Sequence, residues 1–185
     1  MNSKTKFMKV GSRTKTHEAL AAMQILAWIA FIGYMIEAGA KLTSYAVSYV
    51  QPAAAKNLYL GLNLYDLRQL DFWQYSVAVL FLTLLPLMKS YIAWLVISTL
   101  SKFNMNNPFT AGVAGKLEKI SFVAFVTWCV TIFNNAYITW LMKKTGGLQG
   151  NLLATEFIFM VGLVFIISKI FRRGVEIQTE NELTI

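Results

Sequence analysis

Five polar side chains with amide or charged groups stand out inside three apolar stretches. Glu37 and Lys41 lie in the last third of the run 19–45, at the i, i+4 spacing that puts two side chains on one helix face. Asn134 and Asn135 lie near the end of the run 119–141, and Glu156 near the start of the run 152–170. Ionisable groups inside a bilayer are costly, so each is a candidate for function. At a rise of about 1.5 Å per residue, Glu37 is about 27 Å from the start of its run and Asn134 about 21 Å up the third. Glu156 is about one turn into the fourth. If successive runs alternate in direction, the five converge at one depth near the outer face. The chemistry they offer is an outward-facing polar pocket for a ligand, ion or proton. The competing reading is a hydrogen-bonded network that fixes helix register, with Lys41 neutralising Glu37. Interhelical polar contacts in membranes contribute only about 0.6–2 kcal/mol each, so the network need be no more than structural.

A second group lies at the other face. Asn107, Pro108, Phe109 and Thr110 break the chain between the second and third apolar runs. After the fourth run comes a basic collar, Lys169, Arg172 and Arg173, and then an acidic tail with Glu176, Glu180, Asn181 and Glu182. A helix continuing into the tail puts Glu176 and Glu180 on one face. The apolar ending Leu183-Thr184-Ile185 is more than a solvated tail needs. Together these residues form a candidate site for a cytoplasmic protein partner. The alternatives are a solvated helix end and ion pairing with Arg13, Lys15 or Lys116. Lys89, one turn beyond Pro86, either snorkels to the cytoplasmic face or pairs with a carbonyl that the proline frees.

Catalysis finds little here. The only histidine, His17, stands in a basic arm beside Glu18, and the only cysteine, Cys129, lies inside an apolar run. No Cys/His spacing suits a metal and no nucleophile has a recognisable base, so neither an enzyme nor a cofactor is expected. Gly112 to Lys116 faintly matches a phosphate loop, but the glycine spacing is wrong and Leu117 replaces the hydroxyl that would hold magnesium.

The elements that must position these groups follow from composition. The chain has 185 residues, 56% hydrophobic and 14% charged, against about 25% charged in soluble domains. The expected fold is an all-α integral membrane protein, a four-transmembrane-helix antiparallel bundle, in contact with the lipid bilayer. A basic arm, 1–18, precedes spans at about 19–45, 72–100, 119–141 and 152–170, and the tail 171–185 follows. Pro86 should bend the overlong second span. The arm and the first run also match a signal peptide with a small-x-small site at Ala38-Gly39-Ala40, but the run is long for a signal core, which favours an uncleaved span. Lys and Arg are concentrated before span one, between spans two and three and after span four, which predicts cytoplasmic termini. The net charge of +8 is thereby read as membrane topology, and no direct nucleic-acid binding is expected. Tyr45, Tyr49, Trp73, Tyr75, Tyr137 and Trp140 form an expected outer aromatic belt, while Trp28 and Trp128 are expected to pack mid-span. In the first outer loop Leu58, Leu60, Leu62 and Leu64 alternate, which predicts a short extended segment, with chance alternation in a plain loop as the alternative. Thr110 is a candidate N-cap for a short helix over 111–119 that continues into span three.

Two stretches carry a resemblance. Asn107-Pro108-Phe109-Thr110, and the ending Phe171-Arg172-Arg173-Gly174-Val175-Glu176-Ile177-Gln178-Thr179-Glu180-Asn181-Glu182-Leu183-Thr184-Ile185, resemble a family of small bacterial four-span membrane proteins catalogued as domain of unknown function 2975. The resemblance covers residues 19–185. It implies a bacterial inner-membrane protein with no established activity. Members are often encoded beside a small helix-turn-helix regulator, which implies such a regulator as partner. The basic arm and the leucine segment are not part of that pattern. The function expected is therefore a non-enzymatic regulatory or interaction protein that senses through the polar cluster and engages a cytoplasmic partner. The alternative is a small channel or transporter with Glu37, Lys41, Lys89 and Glu156 lining a path. With 185 residues and no inverted repeat, that reading requires a homo-oligomer.

Overall fold

The computed structural model describes residues 4–103, 108–145 and 157–182. Helix α1 spans Lys4–Val50, α2 Tyr65–Leu70, α3 Phe72–Leu100, α4 Ala111–Thr145 and α5 Phe157–Glu182, with a 3₁₀ helix at Pro52–Lys56. The expected bounds 72–100 for span two coincide with α3. Asp71 fixes its start: the backbone there is extended, and the carboxylate accepts from the Trp73 and Gln74 amides at 2.8 and 3.2 Å. Thr110 does the same for α4, its hydroxyl accepting from the Val113 amide at 3.3 Å. The short helix expected over 111–119 and span three are thus one element.

The close backbone approaches run in chain order, α1 on α3, α3 on α4 and α4 on α5. Each pair is antiparallel. Tyr45 meets Ser76 while Lys41 meets Leu82, and Lys116 meets Ser98 while Tyr137 meets Gln74. Phe109 meets Gly174 while Glu118 meets Lys169. Shielded residues recur every three and four positions, the spacing of left-handed helix packing. On α1 they include Ala27, Phe31, Tyr34, Ala38, Lys41, Tyr45 and Ser48, and on α4 Ile120, Ala124, Thr127, Thr131, Asn134 and Leu141. These seams hold hydroxyl, amide and charged groups, whereas Ile25, Leu26, Ile29 and Ile36 of α1 are turned outward. That distribution suits hydrocarbon surroundings, where apolar side chains gain nothing from facing inward. Stretches His17–Val50, Phe72–Leu100 and Ala111–Leu141 are each long and apolar enough to cross a bilayer, and α5 follows as a fourth, C-terminal helix.

The connection between α1 and α3 departs from the expected extended segment. Among the described residues there is no strand; the 3₁₀ helix, a turn and α2 fill the connection. Leu60 has φ 46° and Gly61 φ 83°, so the chain reverses there, with the Leu58 amide donating to Leu62 O at 2.9 Å. Asn57 Oδ1 accepts from the Gly61 amide at 3.0 Å and holds the turn. Leu58 and Leu64 are buried as alternation required, but Leu60 is 87% exposed at the tip. Leu58, Leu64, Leu67 and Ala55 pack with Tyr75, Ala78, Val79 and Leu141 into a core that closes this end of the helices. Tyr75, expected in an aromatic belt, is fully buried within that core, and its hydroxyl meets Ser48 Oγ at 2.8 Å. Tyr49, Trp73 and Trp140 are exposed as a belt requires, whereas Trp28, expected to pack, is exposed on α1.

Candidate functional site

Two of the five intramembrane polar groups are brought together. Lys41 Nζ lies 2.6 Å from Glu37 Oε1 within α1 and donates to the carbonyl of Leu82 in α3 at 3.1 Å. That carbonyl has a particular cause. Pro86 lacks the amide that would close the helical bond to residue 82, so α3 carries an unmet acceptor there. A lysine from α1 meets it, where sequence reasoning had offered Lys89 for the task. Lys89 instead stands 5.7 Å from the ring centroid of Tyr34. The Tyr59 ring from the 51–71 connection covers Lys41 at 5.7 Å, and the lysine side chain is only 10% exposed. Glu37, Lys41 and the freed carbonyl therefore satisfy one another, and α1 is pinned to α3 at one register.

Asn134 does not join them. Its side chain is fully buried in the α4 seam, and neither Nδ2 nor Oδ1 has a hydrogen-bond partner among the described residues. Neighbouring seam hydroxyls meet their own helix, Thr127 donating to Val123 O and Thr131 to Thr127 O. Asn135 is half-buried, with its carbonyl accepting from Thr139 Oγ1 at 2.7 Å. Glu156 lies outside the described residues. Among the described residues the candidates thus divide into a satisfied α1–α3 pair and a separate buried amide. Among the described residues no group of His, Cys, Asp and Glu has the geometry to hold a metal ion.

The second candidate group does come together. Phe109 packs its ring on Phe171 with centroids 5.3 Å apart and lies flat on Gly174, where an added Cβ would come within 2.5 Å of Cδ1. The two stretches singled out in the sequence, one between spans two and three and one after span four, therefore touch. Helix α5 runs without a break through the collar to Glu182, as the face shared by Glu176 and Glu180 required. Arg173 Nη1 donates to Glu176 Oε2 at 2.8 Å, and this contact holds the guanidinium pKa above its ordinary value. Pro108 and Thr110 flank Phe109 half-buried, while Arg173, Glu176, Glu180 and Asn181 are exposed. Asn107 lies outside the described residues, as do the side chain of Glu182 and the ending 183–185.

Sequence reasoning missed Glu118. It accepts from Lys169 at 2.8 Å and from Arg172 at 3.0 Å, so α4 supplies the counter-ion for two of the three collar cations. A lone acid between Lys116 and Lys119, facing a basic collar across an antiparallel hairpin, was the available signal. Lys116, offered as a partner for the tail, instead donates to the Ser98 carbonyl and hydroxyl.

Long apolar helices, polar seams and outward hydrocarbon faces define a multi-pass helical membrane protein. The family model described as Protein of unknown function (DUF2975) matches residues 15–185, and the chain belongs to that family. No curated protein and no solved structure matches it.

Proposed function

We propose that this is a non-enzymatic interaction protein of the bacterial cytoplasmic membrane, crossing it four times with both termini in the cytoplasm. Its docking surface for a cytoplasmic protein is the Pro108–Phe109–Thr110 turn together with the first turns of the tail. The observation that carries the reading is the Phe109 ring seated on Gly174, which makes loop and tail one surface. The exposed charges beside it, Arg173, Glu176 and Glu180, suit a partner with its own charged face. The family resemblance supports a small helix-turn-helix regulator as that partner. The topology is supported by Lys102, Lys116, Lys119, Lys169, Arg172 and Arg173 lying at the same end as this surface. Conduction has less support, because Glu37 and Lys41 are spent on each other and on Leu82.

Co-purification from native membranes tests the reading. The intact chain should bring down a soluble partner that is lost on truncation after Gly174 and on Glu180→Lys. Gly174→Leu should lose it too, because the new side chain must displace Phe109. Recovery of the same partner with all three variants refutes the surface.

A further inference from the structure

Between α1 and α3 a groove of about 360 Å³ opens on the exposed side of the helices. Leu42 and Tyr45 form one wall, and Trp73, Leu80, Leu84 and Leu87 line the other. The hydroxyls of Tyr45 and Ser76 at its upper end bond each other at 2.9 Å, so the lining offers little to a polar guest. From Trp73 to Leu87 the wall is about 21 Å long, enough to cover one leaflet of a hydrocarbon core about 30 Å thick. Trp73, 76% exposed, stands at the upper mouth, at the level where indole rings meet headgroups.

Above that mouth stands a cation. Phe72 stands one turn above Ser76, and the Arg68 guanidinium lies 5.7 Å from the Phe72 ring centroid. Arg68 Nε is buried without a hydrogen-bond partner, and among the described residues no ion pair includes Arg68. A cation at a membrane boundary with no ion pair calls for an anion, and the planar fork of arginine matches a phosphate.

We propose that the groove holds an acyl chain of an anionic phospholipid from the leaflet bordering the 51–71 connection, with the lipid phosphate on Arg68. The apolar wall sets where the chain lies, and the arginine sets the preference for headgroup charge.

The full chain, purified in detergent and offered equal phosphatidylglycerol and phosphatidylethanolamine, is read by native mass spectrometry. Phosphatidylglycerol should be retained about tenfold over phosphatidylethanolamine, because both bring a phosphate to Arg68 but the ammonium of phosphatidylethanolamine offsets that charge and repels the guanidinium. Arg68→Gln should bring the two near parity, while Arg68→Lys keeps most of the preference. Leu80→Trp, which fills the groove, should lower retention of both lipids, and Leu84→Trp provides the same test if the first variant does not fold. Soluble glycerol phosphate at equal concentration should displace nothing. Equal retention by the unmodified protein, an intact preference in Arg68→Gln, or displacement by glycerol phosphate overturns the proposal.

Discussion

Under the 51–71 connection Tyr75, Leu58 and Leu67 are shut away almost completely, whereas at the opposite end Glu118, Lys169 and Arg172 meet with much of each side chain in the open. The first end is closed by rings and leucines: Tyr75 packs against Tyr45 and Phe72, and the connection folds over them. The second is joined by ion pairs and by the Phe109 ring, which rests on Gly174 and Phe171. Buried contacts of the first kind persist in salt, while exposed pairs of the second kind are screened. A partner surface is better drawn from the second end, where opening costs less.

Four substitutions test that contrast. Tyr75→Ala should be the most damaging, costing about 3–5 kcal/mol through the cavity it leaves, measured as detergent-phase unfolding. A loss no larger than that of an exposed residue would erase the distinction between the ends. Lys41→Met, between the two ends, should cost about 1–3 kcal/mol by leaving the Leu82 carbonyl and Glu37 unmet. Pro86→Ala restores an amide for that carbonyl, so the same lysine change should cost less in its background, and strict additivity would deny the link. Glu118→Gln should have the smallest effect. Its expected sign is faster hydrogen exchange across 169–182 at low salt, fading as salt rises; exchange changes that ignore salt would place the joint elsewhere.

What could be read from sequence was what backbone and solvent dictate locally. Thr110 before an apolar run marked a helix start, and the structure begins α4 there. Alternation of leucines was a correct sign of burial for Leu58 and Leu64 and a false sign of strand, because Gly61 lets the chain turn back between them. Convergence of Glu37 with Asn134 was inferred from depth alone. Depth says nothing about angle around the helix axis, and Asn134 is buried in the α4 seam without a bond to the α1 pair. The seams themselves were hard to see. In hydrocarbon both faces of a helix are apolar, so Thr127, Thr131 and Asn134 read as scattered exceptions until their three-and-four spacing met a partner.

Pro86 has a consequence for how the protein is made. Before it has a neighbour, α3 brings into the hydrocarbon a carbonyl that its own helix cannot satisfy. The lysine that meets it lies on α1, which leaves the ribosome earlier and is already waiting. The first helical hairpin is thereby favoured to close as soon as its second arm enters the membrane, and α4 and α5 are added to an edge that is already set.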